Sequence, residues 1–350
     1  MSRVRMAVIG VGALGRHHAR ILKSMKRVEL VAVVDSQAER GQQEAAKHNT
    51  RWVSDHHTLF DQVDAVSIVV PTIAHGDVAG DFLSHGIPVF VEKPLAESVS
   101  TAQKLVDLAD EHHVALQVGH VERFNPAFEA ARPYCLSPKY IRAERFSPFT
   151  FRSTDIGVVL DMMVHDIDLI LSLVRSPVCE VDAFGVTLMG PHEDTVQARL
   201  KFENGCIADL SASRVNPEVR RSMQVWSQHG CVNIDMQQRI VTRTAPAPAL
   251  RSGPSPVEMS RQPGANIEEL KARVFSEFLP TESIPVAPGD ALTAELASFA
   301  NCVRTKLRPH VDGHQALEAI QVAERIIRRV KAHQWDGGPQ QRPTQWRAAA

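Results

Sequence analysis

Apolar residues recur in two rhythms along this chain, and the change of rhythm divides it. Up to about residue 120, short and mostly apolar runs occur at Val4–Ile9, Leu30–Val34, Ala65–Val70, Pro88–Val91 and Ala115–Val118. Runs of strand length without polar alternation suit strands covered on both faces. Between them, residues 13–26, 37–48 and 98–113 have helical spacing, another helix carries His75, and Arg51–Ser54 reads as a short third strand. This alternation predicts an α/β, doubly wound parallel sheet. Beyond residue 137 the pattern changes. Lys139–Phe149, Glu180–Leu188, Thr195–Phe202, Ala208–Arg214, Arg221–Ser227 and Val232–Thr242 read as strands, with one apolar helix at Val158–Leu173. Asn204-Gly205 is a strong hairpin signal, because both residues tolerate the positive φ of a type I′ turn. The second part is therefore read as an α+β domain with a mostly antiparallel open sheet. Residues 244–266 read as a loop, 290–306 and 313–333 as closing helices, and 335–350 as a disordered tail. The expected division is a first domain over 1–122 and a second over 123–334, with the closing helices able to pack back on the first.

The turn after the first run carries the clearest chemistry. Gly10-Val-Gly12-Ala13-Leu14-Gly15 joins a predicted strand to a predicted helix, and Asp35 ends the next strand 20 residues past the third glycine. This is the dinucleotide-binding fingerprint of a Rossmann domain in its full context. Gly10 permits the sharp turn. Gly12 lets a pyrophosphate reach the backbone, together with Ala13 and Leu14, and Gly15 lets helix and strand pack closely. The first N–H groups of the helix and its positive dipole end face the phosphates. Asp35 is placed to accept from both adenosine ribose hydroxyls. Its charge repels a 2′-phosphate, and neighbouring Ser36 and Gln37 offer no cation, so NAD is expected over NADP.

Composition narrows the rest. A chain of 350 residues can bury two cores, and a formal charge of −1 favours neither nucleic acid nor an anionic membrane as partner. No apolar run approaches a membrane span. The first strand begins close to Met1, which leaves no room for a signal peptide, and the five cysteines form no C-x-x-C pair. A cytoplasmic protein with reduced thiols and no metal site is expected. His17 and His18 read as a helix surface near the phosphates.

In such a sheet, ligands sit outside the carboxyl ends of the strands. Gly10, Asp35, Pro71, Lys93 and His120 all fall at strand ends, so one crevice should collect them. Farther on, Asp161 and His165 are four apart and share a helix face, where a carboxylate can fix an imidazole's tautomer and raise its basicity. Alone, that pair reads first as a surface pair, and Lys93 as a solvated loop lysine.

Taken in order, Gly10-x-Gly12-x-x-Gly15, Glu92-Lys93-Pro94 and Asp161-x-x-x-His165 resemble the Gfo/Idh/MocA oxidoreductase family. The resemblance runs up to the closing helices with Glu295, Phe299 and Val311-Asp312-Gly313. It implies an NAD-dependent dehydrogenase in which His165 takes a hydroxyl proton, Lys93 stabilises the developing alkoxide and Asp161 orients His165. It also implies that Pro71 and Thr72 line the nicotinamide with His75 following on the helix, that Glu92 contacts the cofactor or positions Lys93, and that the open sheet pairs with further copies as a homodimer or homotetramer. Gly119-His-Val-Glu-Arg123-Phe-Asn125-Pro126, with the helix around His165, is most similar to the branch that oxidises the 3-hydroxyl of UDP-N-acetylglucosamine. That chemistry makes a 3-keto sugar nucleotide, which an aminotransferase can convert to a 3-amino sugar for lipopolysaccharide. Arg123 and Asn125 then join Lys93 and His165 as substrate contacts, with Arg142, Arg145 and Arg152 nearby, while Arg123 reads equally well as a tie at the domain junction. The chain departs from the family's glycine-rich pattern at Ser153–Val159. A free sugar, inositol or other polyol is the competing substrate, and a non-catalytic NAD(H) sensor the competing role.

Overall fold

The computed structural model describes residues 3–333 apart from 152, 249, 251 and 252. The expected tail at 335–350 and Arg152 lie outside the described residues. The first layer follows the alternation read from the sequence: β1 (Val4–Ile9), α1 (Gly15–Ser24), β2 (Val28–Val34), α2 (Ala38–Lys47), β3 (Arg51–Val53), β4 (Ala65–Ile68), α3 (His75–Ser84), β5 (Val89–Glu92), α4 (Val99–Glu111) and β6 (Leu116–Gly119). The strands pair in parallel in the order β3-β2-β1-β4-β5-β6. β4, β5 and β6 are buried along their whole length, which explains why their runs are mostly apolar without alternation. The strand order reverses between β1 and β4, so the crevice opens there. Ile9 pairs with Val34 on one side and Ile68 on the other, and Glu92 pairs with Gly119. That register brings the ends of these strands out at one edge of the sheet.

The second part begins with α5 (Pro126–Ala131) and β7 (Tyr140–Phe146). A single π-helical turn, Val159–Met163, leads into α6 (Val164–Val174). Then come β8 (Val178–Val186), β9 (Thr195–Phe202), β10 (Ile207–Ser213), β11 (Arg220–Ser227), β12 (Gly230–Asp235), β13 (Ile240–Thr244), α7 (Pro256–Ser260), α8 (Ile267–Arg273), β14 (Thr281–Ile284), α9 (Ala291–Thr305) and α10 (Gly313–Ala332). The sheet order is β14-β13-β12-β11-β7-β10-β9-β8, antiparallel except where β10 runs parallel to β7. One face carries Ile141, Leu200, Leu210 and Val225 into a core shared with α6. The other is polar and self-paired, with Arg199 and Tyr140 on Asp209 and both Arg142 and Arg220 on Glu144.

Three expectations needed correction. The run Val232–Thr242 is two strands, because Asp235 accepts from Gln237 and Gln238 N–H and Arg239 takes positive φ, making a turn without Gly or Asn. The expected loop 244–266 contains a short helix, α7, nucleated by the Ser255/Glu258 capping box. Edge strand β14 was missed because three of its four residues are exposed and no alternation marks it.

The two cores meet along α10. Ala316, Leu317 and Ile320 enter the first core, whereas Ala319, Val322, Ala323, Ile326 and Val330 enter the second. Asp312 caps this helix through a capping box with Gln315.

Candidate active site

The glycine turn has the geometry its sequence demands. Gly10 has φ +87°, and a Cβ there would lie 2.6 Å from the Val69 carbonyl oxygen. A Cβ on Gly15 would collide with the Gly10 carbonyl oxygen, so this glycine is required for close helix–strand contact. Around Gly12 there is open space, and no side chain caps the start of α1. Open backbone, free N–H groups and a positive helix end together fit a pyrophosphate.

Just past β2, Asp35 is buried and accepts from four N–H donors: Val11 and Gln37 through the backbone, and Arg40 through Nε and Nη2 at 2.8 and 2.7 Å. Burial works against its charge, but hydrogen bonds led by Arg40 outweigh it and hold the carboxyl below its usual range. Sequence reasoning saw no cation beside Asp35. Arg40 lies five residues on, and one turn of α2 brings it back.

Lys93 and Asp161 come together from opposite domains. The Lys93 ammonium donates to the Asp161 carbonyl at 2.7 Å and lies 3.4 Å from its carboxylate. Asp161 does not orient His165 in this structure. The π-helical turn ends just before His165, so the four-residue spacing no longer stacks the two side chains. His165 is half-buried. Its Nδ1 is closed off from solvent without a hydrogen-bond partner. Burial, followed by the charges of Lys93 and Arg145, pushes its imidazole well below the ordinary range, leaving it neutral. His120 lies behind it, ring centroids 6.4 Å apart and nearly perpendicular.

Several expected contacts turn out to be internal supports. Arg123 is buried on Asp168 at 2.8 Å, and Asn125 caps α5 while its amide donates to Glu122. Neither is offered to a ligand. His75 is buried between the carbonyls of Pro94 and Val70, 2.8 and 3.0 Å away, so it ties the loop after β4 to the Lys93-Pro94 turn. Pro71 and Thr72 stay accessible at the crevice. Glu92 is buried, 3.2 Å from the Lys93 backbone N–H and 3.1 Å from His18 Nε2. His18 is fully buried with Nδ1 2.9 Å from Ser67 Oγ, not on the helix surface as its sequence position suggested.

Sequence reasoning also missed the support beneath α6. Arg145 is buried, grips Asp166 with two hydrogen bonds and reaches Glu122 at 2.8 Å. Arg221 adds a half-exposed cation 3.7 Å from Glu122, close enough to act on the His165 imidazole. Only register across the second sheet, which pairs Arg221 with Arg145, could have marked it. Within Ser153–Val159, where the chain departs from the glycine-rich pattern, the one glycine that remains is Gly157, and a Cβ there would meet the Glu193 carboxylate, which accepts from Val159 N–H. Elsewhere, Asp55, His56 and His57 gather beside Asp81, with their donors and acceptors directed at one another.

This geometry agrees with two family models: an oxidoreductase family with an NAD-binding Rossmann fold over residues 4–120, and the GFO/IDH/MocA C-terminal domain over 117–233. The chain belongs to the Gfo/Idh/MocA family. It binds NAD through its first domain. It is 32% identical over 333 residues to UDP-N-acetylglucosamine 3-dehydrogenase of Acidithiobacillus ferrooxidans, covering 95% of this chain and 99% of the relative. A structure of that enzyme superposes with a TM-score of 0.82 at 31% identity over the same shares of the two chains. Scyllo-inositol 2-dehydrogenase (NAD(+)) of Bacillus subtilis is 31% identical over 61% of this chain and 68% of its own length. At the level of fold alone, scyllo-inositol dehydrogenase of Lactobacillus casei with bound NAD(H) and scyllo-inositol matches with a TM-score of 0.73 at 18% identity, covering 95% of this chain and 98% of that one.

Proposed function

We propose that this Gfo/Idh/MocA oxidoreductase oxidises a secondary hydroxyl of a sugar nucleotide, the 3-hydroxyl of UDP-N-acetylglucosamine or a close analogue. The observation that carries a dehydrogenase is the convergence of Lys93 and the neutral His165 imidazole from separate domains at the strand-end crevice. For the sugar nucleotide, support comes from near full-length similarity to the UDP-N-acetylglucosamine enzyme, against two thirds for the inositol enzyme. Arg221 also supports it, as an accessible cation beside the reaction centre suited to a diphosphate.

Bound NAD supplies the hydride acceptor. His165, neutral because burial and nearby cations disfavour its charged form, takes the hydroxyl proton. Lys93 donates to the same oxygen as alkoxide character grows. Asp161 holds the Lys93 ammonium through its carbonyl and carboxylate, a task different from steering His165. Asp166, gripped by Arg145, fixes α6 and hence the imidazole's position. The outer face of the second sheet, whose charges pair within it, serves as the surface for a second copy.

A panel of UDP-sugars, free sugars and inositols with NAD, read by the absorbance of the reduced cofactor, tests the reading. Turnover of UDP-N-acetylglucosamine above all others is the expected result. Turnover of inositols alone moves the assignment to polyols, the second reading favoured by the inositol relatives. Binding of the reduced cofactor with no turnover of any sugar points to the sensor.

A further inference from the structure

The buried groups unused by that mechanism gather on one side of His165. Among the described residues, six buried side-chain polar atoms lack a hydrogen-bond partner: His165 Nδ1, His120 Nδ1, Gln117 Oε1, His18 Nε2 and both carboxyl oxygens of Glu295. They form one neighbourhood. His120 stands 6.4 Å from His165 and directly follows Gly119, over which the Glu92 carboxylate lies so closely that a Cβ there would be 2.9 Å from Oε2. Glu92 Oε1 is 3.1 Å from His18 Nε2, without hydrogen-bond alignment. Glu295 arrives from α9, where its backbone carbonyl accepts from Gln117 Nε2 at 3.2 Å. Burial, then the neighbouring charges of Glu92 and Asp168, hold its carboxyl well above the usual range, so it is a neutral acid. Native proteins seldom leave such atoms bare. Gathered together, they can share buried water, each molecule joining two to four polar groups.

We propose that His120, Glu92 and Glu295 form an internal proton line that receives the substrate's hydroxyl proton from His165 and stores it away from the cleft. This rests on the dehydrogenase reading above. In one turnover the substrate's O–H and C–H bonds break, the hydride passes with its electron pair to NAD, and a carbonyl forms. The proton goes to the cleft-facing nitrogen of His165. The Nδ1 proton of the resulting imidazolium then moves through His120 to the Glu92 carboxylate, so that Glu92 and Glu295 together hold one proton more. A line is needed because the surroundings of His165 make its imidazolium a poor resting place. The charged groups acting on Glu295 are Glu92 from β5 and Asp168 from α6, and Asp168 is already paired with Arg123; those acting on His120 are Asp168, Arg123, Lys93 and Glu92.

Glu295→Gln keeps the side chain's shape and removes its titration. In the NAD-bound protein near neutral pH, the infrared band of a protonated carboxyl should be present in the wild type and lost in E295Q. In single turnovers with a pH indicator, the wild type should reduce cofactor before releasing its proton, whereas E295Q and His120→Asn should lose that lag. Both variants should lower kcat roughly tenfold with KM for NAD unchanged, and displace the pH profile. Absence of the band, or a wild-type proton lag and pH profile in both variants, overturns the proposal. If E295Q fails to fold, Glu92→Gln takes its place in the single-turnover and pH-profile measurements, and the infrared arm rests on the wild type. The infrared arm needs no turnover. A wild type inert on every sugar therefore counts against the dehydrogenase reading, while a missing band in an active enzyme counts against the proton line alone.

Discussion

Asp35, just past β2, is buried and answered by four N–H donors, whereas His165, on α6, has a closed-off nitrogen with none. At Asp35 both carboxylate oxygens are answered by N–H donors. Around His165 the buried groups are displaced from their ordinary protonation and left short of partners, an arrangement that costs stability and persists where chemistry uses it. In the second domain the buried carboxylates of Asp166, Asp168 and Asp194 are, like Asp35, answered by an arginine: Arg145, Arg123 and Arg214. Charge alone therefore does not set His165 apart here; the unpartnered atoms gathered around it do.

The largest test of that contrast is removal of the unpaired imidazole. His165→Ala should lower kcat about 10²–10⁴-fold while the melting temperature holds or rises, since an unsatisfied buried atom disappears. Initial rates and thermal melting of one preparation check both halves, and a wild-type rate would end the assignment of His165 as base. Arg145→Met should do the reverse in kind. It strands Asp166 and Glu122 in the interior and should cost about 3–5 kcal/mol of stability, read by urea unfolding. Replacing Asp35 with Ala frees Arg40 for a 2′-phosphate and should move the NAD/NADP preference toward NADP by about 10- to 100-fold in kcat/KM. An unchanged preference would mean that Arg40 plays no part in cofactor choice.

The smallest effect is in stability against pH, and its sign differs between groups. His165, His120 and His75 have imidazoles held below their ordinary value of 6.5 by burial, so the unfolded chain binds more protons and stability falls as pH drops below about 6.5. Glu295 is held well above its ordinary 4.5, so its contribution is complete below that pH and is lost as pH rises from there toward its folded-state value. Melting curves should show E295Q gaining on the wild type as pH increases from 5 to 8. A constant difference across that range would contradict a neutral Glu295.

Much of the first domain could be read directly. Strands covered on both faces announce themselves as apolar runs, and the glycine turn has steric requirements that only glycine meets. The second domain was legible where its strands alternate, and failed at the Met236–Arg239 turn and at β14, where local hydrogen bonds or edge exposure replace the usual signals. In the site, Lys93, Asp161 and His165 stood out as motifs, but their partners did not. The π-helical turn before His165 breaks the four-residue stacking on which the Asp161 expectation depended. Arg40, Arg145, Arg221 and Glu295 enter through tertiary placement that no local spacing reports.

Helix α10 is a rod of 20 residues, about 30 Å long, whose flanks belong to different hydrophobic interiors. Neither layer can shed it without exposing apolar surface of its own, so the halves that frame the cleft are mechanically joined at their backs. Gaping of the cleft must then come from bending at its lips and not from separation of the two bodies, and heat should melt both in a single event.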